Sequence, residues 1–217
     1  MSLLRRIADN TNPNSPAGRA RARRFAFLLD LLRDLPRPVR LLDVGGTTGY
    51  WEALPTPPGE IELMILNRDV DPAEDGRMVS GDARSMSEFE NDSFDVVFSN
   101  SVIEHVGNRD DQRAMAEEVR RVGKRYFVQT PNFWFPLEPH FLVPGFQFLP
   151  LGARSRLLQR FDLGHIGRTR DPEAADGFVR SIRLLRASDL RELFPEARIH
   201  RERVFGLTKS LMAVGGW

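Results

Sequence analysis

Four side chains in two short stretches of this chain can exchange a proton near neutral pH. Glu104 and His105 are adjacent, and Glu138 and His140 lie two apart in the aromatic, proline-rich run Thr130-Pro131-Asn132-Phe133-Trp134-Phe135-Pro136-Leu137-Glu138-Pro139-His140-Phe141. Imidazole is the side chain whose ordinary pKa falls closest to neutrality. His140, His105 and Glu104 are therefore the candidate catalytic residues, with Glu138 beside them, as bases toward an acceptor hydroxyl. A structural alternative for His140 is a hydrogen-bonded core histidine under a loop whose aromatics pack together.

A second feature is the turn Asp43-Val44-Gly45-Gly46-Thr47-Thr48-Gly49, whose glycines let a ligand approach the backbone closely. Its spacing excludes two common nucleotide sites. The dinucleotide fingerprint wants glycine at the first, third and sixth positions, and counting from Gly45 the third and sixth are Thr47 and Tyr50. A phosphate loop needs Gly-Lys-Ser/Thr, which does not follow.

The elements around these residues alternate. Ala17 to Leu35 carries Phe25, Leu28, Leu29, Leu31, Leu32 and Leu35 at helical spacing, with a solvated arginine face opposite. Strands are expected at Val39 to Val44, Ile61 to Leu66, Met78 to Gly81, Phe94 to Ser99 and Arg125 to Gln129, with a short helix after the glycine turn and another at Asp111 to Val122. Such alternation means a parallel sheet covered by helices on both faces. The end differs: a helix at Ala187 to Leu193 capped by Ser188, then strands at Arg198 to Phe205 and Lys209 to Val214 around the turn Gly206-Leu207-Thr208. Two strands joined so tightly must be antiparallel.

The glycine turn with its preceding acid resembles that of class I S-adenosylmethionine-dependent methyltransferases, with Thr47 replacing the middle glycine. Three further stretches resemble the same family in order: Ser80-Gly81-Asp82-Ala83, the strand Phe94 to Ser99 running on through Asn100 to Glu104-His105, and the closing hairpin through Phe205-Gly206. The resemblance covers roughly residues 39 to 130 and 182 to 216. It implies an α/β fold, a single Rossmann-like methyltransferase domain over 1–217 with a mostly parallel seven-stranded sheet and an antiparallel C-terminal hairpin strand. Residues 1–16 are expected to be loosely ordered, and 131–181 to form an insertion that supplies the substrate pocket and, at 160–177, a lid.

The resemblance implies cofactor contacts from Asp43, Gly45, Gly46, Thr47 and Gly49, from Asn67 or Asp69 to the ribose hydroxyls, from Asp82 and Ala83 to the adenine, and from Asn100. Some relatives hold a divalent metal through Glu-x-x-Glu-His after the fourth strand. Here Ser101 replaces the first glutamate, leaving Glu104 and His105, with His140 or His165 to complete a set suited to Mg2+ or Mn2+.

The acceptor expected is a hydroxyl. Aromatics interleaved with Asp, Asn, Arg and His suit a sugar, and the run from Trp134 to His140 resembles small bacterial methyltransferases linked to glycan or polysaccharide pathways. A lipid, quinone or polyketide phenol is the rival, because Phe141 to Leu151 is apolar. A catalytically silent cofactor-binding or interaction protein is the alternative of another class.

Composition narrows the partners. The net charge of +1 gives no global attraction to nucleic acid. With no cysteine, disulfides and thiolate metal sites are excluded. Lys124 and Lys209 are the only lysines, and the arginine excess is read as genome composition without mechanistic meaning. The polar start and the lack of a long apolar run predict a cytoplasmic protein without a membrane span. A small molecule or glycan is the expected partner, with a homodimer the one protein assembly considered.

Overall fold

The structure, a computed structural model, describes residues 12, 14–53, 59–68, 70 and 76–217. Among these, seven strands form one sheet in the order β3-β2-β1-β4-β5-β7-β6. The strands are β1 (Val39–Val44), β2 (Ile61–Asn67), β3 (Met78–Ser80), β4 (Val96–Asn100), β5 (Tyr126–Pro131), β6 (Arg198–Val204) and β7 (Leu207–Gly215). The first five are parallel, and β7 runs antiparallel to both β5 and β6. The expected α/β architecture and antiparallel close are what the chain adopts.

The central strands β1, β4 and β5 are buried almost throughout because both their faces are covered. On one face, α1 (Pro16–Leu32) packs Phe25, Leu28 and Leu32 against Leu41, Val96, Phe98 and Phe127. On the other, α3 (Arg109–Val122) and α6 (Ala187–Leu193) bring Met115, Val119, Leu190 and Phe194 onto Leu42, Val97 and Val128. Between β1 and β2 lies α2 (Thr48–Glu52), a short helix at the glycine turn.

Several expected boundaries shift for local reasons. Helix α1 starts at Pro16, with Ser15 Oγ accepting from the Gly18 N–H at 2.8 Å, so residues 15 and 16 are ordered rather than loose. Residues 1–11 and 13 lie outside the described set. The helix stops at Leu32, three residues early, since Pro36 disfavours helical geometry at Leu35. Its arginine face is not wholly solvated: Arg24 is buried, 3.7 Å from Glu202. Helix α6 is capped at Arg186, not Ser188, because the Asp189 carboxylate turns back to accept from the Arg186 N–H at 2.8 Å. In the last hairpin, Phe205 and Gly206 both have positive φ, as a two-residue turn requires, so Leu207 and Thr208 belong to β7.

After β5 the chain forms α4 (Leu151–Arg160) and α5 (Pro172–Ser181) around a small core of their own, containing Phe141, Phe146, Leu158, Leu163, Ala175 and Val179. Of the stretch 160–177 expected as a lid loop, residue 160 and residues 172–177 are helical, and 161–171 run as a connection between the two helices. Asp171 caps α5 by accepting from the Ala174 N–H at 2.7 Å, and Pro172 follows at the first helical position.

Candidate active site

The carboxyl ends of β1, β2 and β4 frame a cleft with two lobes that share Gly45. One, of about 250 Å³, is lined by Asn67, Gly81, Asp82, Ala83, Val102 and His105 among others. The second, of about 170 Å³, is lined by Asp43, Gly46, Thr47, Tyr50, Phe98 and Asn100 as well as Gly45. Eight of the ten expected cofactor residues therefore line one continuous region. Gly49 does not: it sits in α2, where an added Cβ would meet nothing within 4 Å. Asp69 lies outside the described residues.

The glycine turn is shaped by close packing. Gly45 has φ +80°, and a Cβ there would come within 2.5 Å of Val102 Cγ2; one at Gly46 would overlap the Asp43 carboxylate. Thr47, in the place of the family's middle glycine, is the N-cap of α2 and accepts from the Tyr50 N–H at 3.3 Å. Asp43 is buried and accepts from the Trp51 indole N–H at 2.6 Å. Burial raises its pKa to about 7, against the pull of the Trp51 hydrogen bond.

The neighbouring polar groups are also engaged. Asn67 Nδ2 donates to the Gly46 carbonyl at 2.7 Å, tying β2 to the glycine turn. Asp82 accepts from Arg84 through both oxygens, and Arg84 reaches on to Asp111 at 2.9 Å. Those hydrogen bonds hold the Asp82 pKa down to about 2. Two buried atoms of residues lining the second lobe, Asn100 Oδ1 and the Tyr50 hydroxyl, make no hydrogen bond among the described residues.

Past β4 the backbone turns sharply at Ser101, whose φ is +59° and whose hydroxyl donates to Gln129 Oε1 at 2.9 Å. This turn brings Val102 beneath Gly45 and carries on to Glu104 and His105. Glu104 is fully buried. Its Oε2 accepts from the Thr130 hydroxyl at 2.9 Å, while Oε1 has no partner among the described residues. Burial raises its pKa to about 7; His140 opposes that shift and Glu138 adds to it.

Four of the sequence-derived candidates meet here. Glu138 is buried, with Oε1 2.7 Å from His140 Nδ1 and Oε2 accepting from the backbone N–H groups of His140 and Phe141 at 2.8 and 2.6 Å. With Nδ1 donating to Glu138, the Nε2 lone pair of His140 is left to accept a proton. Burial disfavours the charge on His140, but the Glu138 hydrogen bond and the charges of Glu138 and Glu104 outweigh it, so its pKa lies above the ordinary imidazole value. The His105 ring meets that of His140 edge-on at 4.7 Å. Loss of water on its packed side, then repulsion from His140, push the His105 pKa down, although part of the ring remains exposed. Ligand-capable atoms of Glu104, His105 and His140 all fall within 4.8 Å of one another. His165 is not in this group; its backbone N–H donates to the His140 carbonyl at 3.2 Å.

Beyond the histidines lies a cavity of about 980 Å³ between the insertion, the start of α3 and α6, with Phe133, Glu138, Phe141 and Phe146 in its wall. The loop after β4 separates it from the cleft: Val106 faces the lobe of about 250 Å³ and Gly107 the large cavity. Sequence reading did not find the Trp51 bond to Asp43, the Tyr50 and Phe98 wall, or the arginines of this cavity. For the last a signal existed, since Arg180, Arg183 and Arg186 recur at every third position.

A family model described as a methyltransferase domain matches residues 60–126. Two uncharacterized proteins of Mycobacterium tuberculosis, MT1557 and Rv1509, are 42% identical over 53 residues, which is 24% of this chain and 18% of each relative. The aligned stretch thus spans less than a fifth of those relatives. Among solved structures, PH0226 from Pyrococcus horikoshii is 17% identical with a TM-score of 0.51, covering 94% of this chain and 92% of that one. The carbon methyltransferase CurJ is 15% identical with a TM-score of 0.54, over 91% of this chain and 54% of that chain. The N-terminal domain of EvdMO1, crystallised in the presence of SAH and D-fucose, is 17% identical with a TM-score of 0.51, over 90% and 82%. The family match covers less than a third of the chain, and the three solved structures show a shared fold.

Proposed function

We propose that the protein methylates a hydroxyl oxygen, with His140 as the base that takes the hydroxyl proton and Glu138 as the residue that positions it. The Glu138–His140 pair carries this reading: a buried carboxylate fixes one imidazole nitrogen at 2.7 Å and leaves the other free, beside the cleft that fits the cofactor. S-adenosylmethionine, when bound, supplies the electrophilic methyl group. The two lobes around Gly45 hold its nucleoside and amino-acid ends, with Asn100 and Tyr50 offering polar contacts to the latter. Removing the proton as the oxygen becomes the nucleophile is a task worth roughly 10²–10⁴ in rate.

The preferred acceptor is a sugar or a larger glycan. An aromatic shelf supports this: Phe133, in the cavity wall, packs edge-on to Trp134 at 5.1 Å and to Phe148 at 5.4 Å, and Trp134 is 59% exposed. Sugar rings stack on such faces while their hydroxyls reach polar side chains. The test supplies the purified protein with methyl-labelled cofactor and two acceptor sets, monosaccharides and oligosaccharides including D-fucose, and simple phenols. Label in an alkali-stable ether of a sugar supports the reading; label in the phenols alone replaces sugar with a hydrophobic acceptor. Tight SAH binding with no label in any hydroxylated acceptor sinks the transferase assignment.

A second reading is favoured by the convergence of Glu104, His105 and His140: a divalent cation held by one carboxylate oxygen and two imidazoles. In that case His140 Nε2 binds metal and is not the base. Dialysis against a chelator separates the two, because a rate restored by Mn2+ or Mg2+ requires the cation and an unchanged rate leaves His140 as base.

A further inference from the structure

The large cavity beside the histidine pair has an unbalanced charge. Five arginines line it, Arg109, Arg154, Arg180, Arg183 and Arg186, against two carboxylates. Both carboxylates are engaged inside the protein. Glu138 serves His140 and Phe141 through its two oxygens, and Asp189 accepts from Arg109 at 3.0 Å and from the Arg186 N–H at 2.8 Å. Arg109 is thereby neutralised. The guanidinium groups of Arg154, Arg180 and Arg183 make no hydrogen bond or ion pair among the described residues, and Arg186 lies only over the rings of Phe133 and Trp134, at 4.8 and 5.1 Å.

This accumulation is local, since the whole chain carries only +1. It also does not come from a single helix face. Arg154 comes from α4, Arg180 from the end of α5, and Arg183 and Arg186 from the segment leading into α6, and all four turn to one concavity. Arg154 is half-buried with its Nε shielded from water and unpartnered. Burial and the nearby Arg180 both work against its charge, while Glu138 favours it. For the half-buried Arg154 a charge without a counter-ion is unfavourable until a ligand brings negative charge, and the exposed Arg180, Arg183 and Arg186 add positive charge to the same cavity.

From this we infer that the acceptor carries an anionic group, a phosphate or a carboxylate, which Arg154, Arg180, Arg183 and Arg186 hold. The rest of the wall shapes the remainder of the molecule. Phe133, Phe141, Phe146 and Leu151 offer apolar surface, and about 980 Å³ is near the upper end of small-molecule pockets, so a bare inorganic ion leaves most of it unfilled. The fitting ligand is an organic acid with a ring or aliphatic body and a hydroxyl placed toward His140. This rests on the transferase reading for the hydroxyl and the methyl, but the arginine site stands on its own geometry.

The test uses the full chain and matched probes that differ by charge: glucuronate against glucose, 4-hydroxybenzoate against phenol, and glucose 6-phosphate to separate phosphate from carboxylate. Binding is measured by calorimetry in the presence of saturating SAH. The anionic member of each pair should bind about tenfold tighter or better, and the preference should shrink as salt is raised. Arg180→Gln with Arg183→Gln, both exposed and free of internal bonds, should cut the preference by about tenfold while the affinity for SAH stays within roughly twofold; Arg154→Gln serves as a separate third variant. Equal binding of charged and neutral probes, binding of neither, or a preference untouched by the arginine variants overturns the inference. A short oligoribonucleotide binding more tightly than every small anion overturns the small-molecule class. A charge preference in a protein that fails to bind SAH would keep the arginine site and refute the transferase reading instead.

Discussion

The two sides of the central cleft treat charge in opposite ways. On the sheet side, three of the acidic and amide groups are already engaged, Asp43 by Trp51, Asn67 by Gly46 and Asp82 by Arg84, and Asn100 Oδ1 is the exception. They act mostly through the backbone shape they fix. On the insertion side the carboxylates and Arg109 are engaged but Arg154, Arg180 and Arg183 are not, and in our proposal an anionic ligand completes that half. In that proposal rigid strands and tight glycines build the cofactor pocket, whereas helices carried on a separate small core present the side chains that choose an acceptor. The histidine pair stands where the two meet.

The largest effect is expected at that junction. His140→Ala should lower kcat by about 10²–10⁴ while SAH affinity, set on the sheet side, holds. An equal loss of SAH affinity would show that the two sides are not separable. Glu138→Gln is the milder change. As a base, His140 works in its neutral form, so the rate should climb as pH rises through its raised pKa and level off above it. Glutamine removes the adjacent negative charge that favours the imidazolium, so the climb should move to lower pH, with a lower plateau. A pH–rate profile that keeps its midpoint would show that Glu138 supports the fold alone. Glu104 and His105 also face His140, and the profile of Glu104→Gln identifies any share of the midpoint that belongs to Glu104.

Next in size is Gly45→Ala, which strikes the sheet side alone. Its φ of +80° and the 2.5 Å approach to Val102 predict a loss of about 1–3 kcal/mol in stability together with SAH binding. Adding Val102→Ala should relieve the overlap and recover only part of the loss, because the backbone strain persists. Complete recovery would assign the whole effect to packing.

The fold was legible because its signals are local. Apolar strands, glycine turns and a helix every few residues reveal a parallel sheet, and even the antiparallel close follows from the short connection before β7. The clustering of eight of the ten expected cofactor residues was legible through spacing along single strand-to-loop junctions. Long-range choices were not: nothing adjacent to Asp43 announces that Trp51 will donate to it, and Arg154 is remote in sequence from Arg180 and Arg183. Within 160–177 the glycines and charges hide that Leu163 and Ala175 find a core with Phe141 and Leu158. Ser188 looked like a cap because a short polar residue before a helix often is one, yet Asp189 turned back to Arg186.

Thr47 is where the sheet side departs from the family pattern, and it predicts the smallest effect. If threonine there were merely a poor substitute for glycine, Thr47→Gly should tighten SAH binding. The structure gives Thr47 a positive task instead, as the cap accepting from the Tyr50 N–H, with an ordinary extended φ of −137° that needs no glycine. Loss of such a cap to alanine costs about 0.5–2 kcal/mol, and to glycine only a few tenths. SAH affinity, measured by calorimetry, should therefore fall modestly in Thr47→Ala and hardly change in Thr47→Gly. Because α2 carries both Tyr50, which walls the amino-acid lobe, and Trp51, which holds Asp43, a frayed α2 would be felt on the sheet side. Acceptor affinity on the insertion side should not move, and if it did, the division of the cleft into two independently built halves would fail.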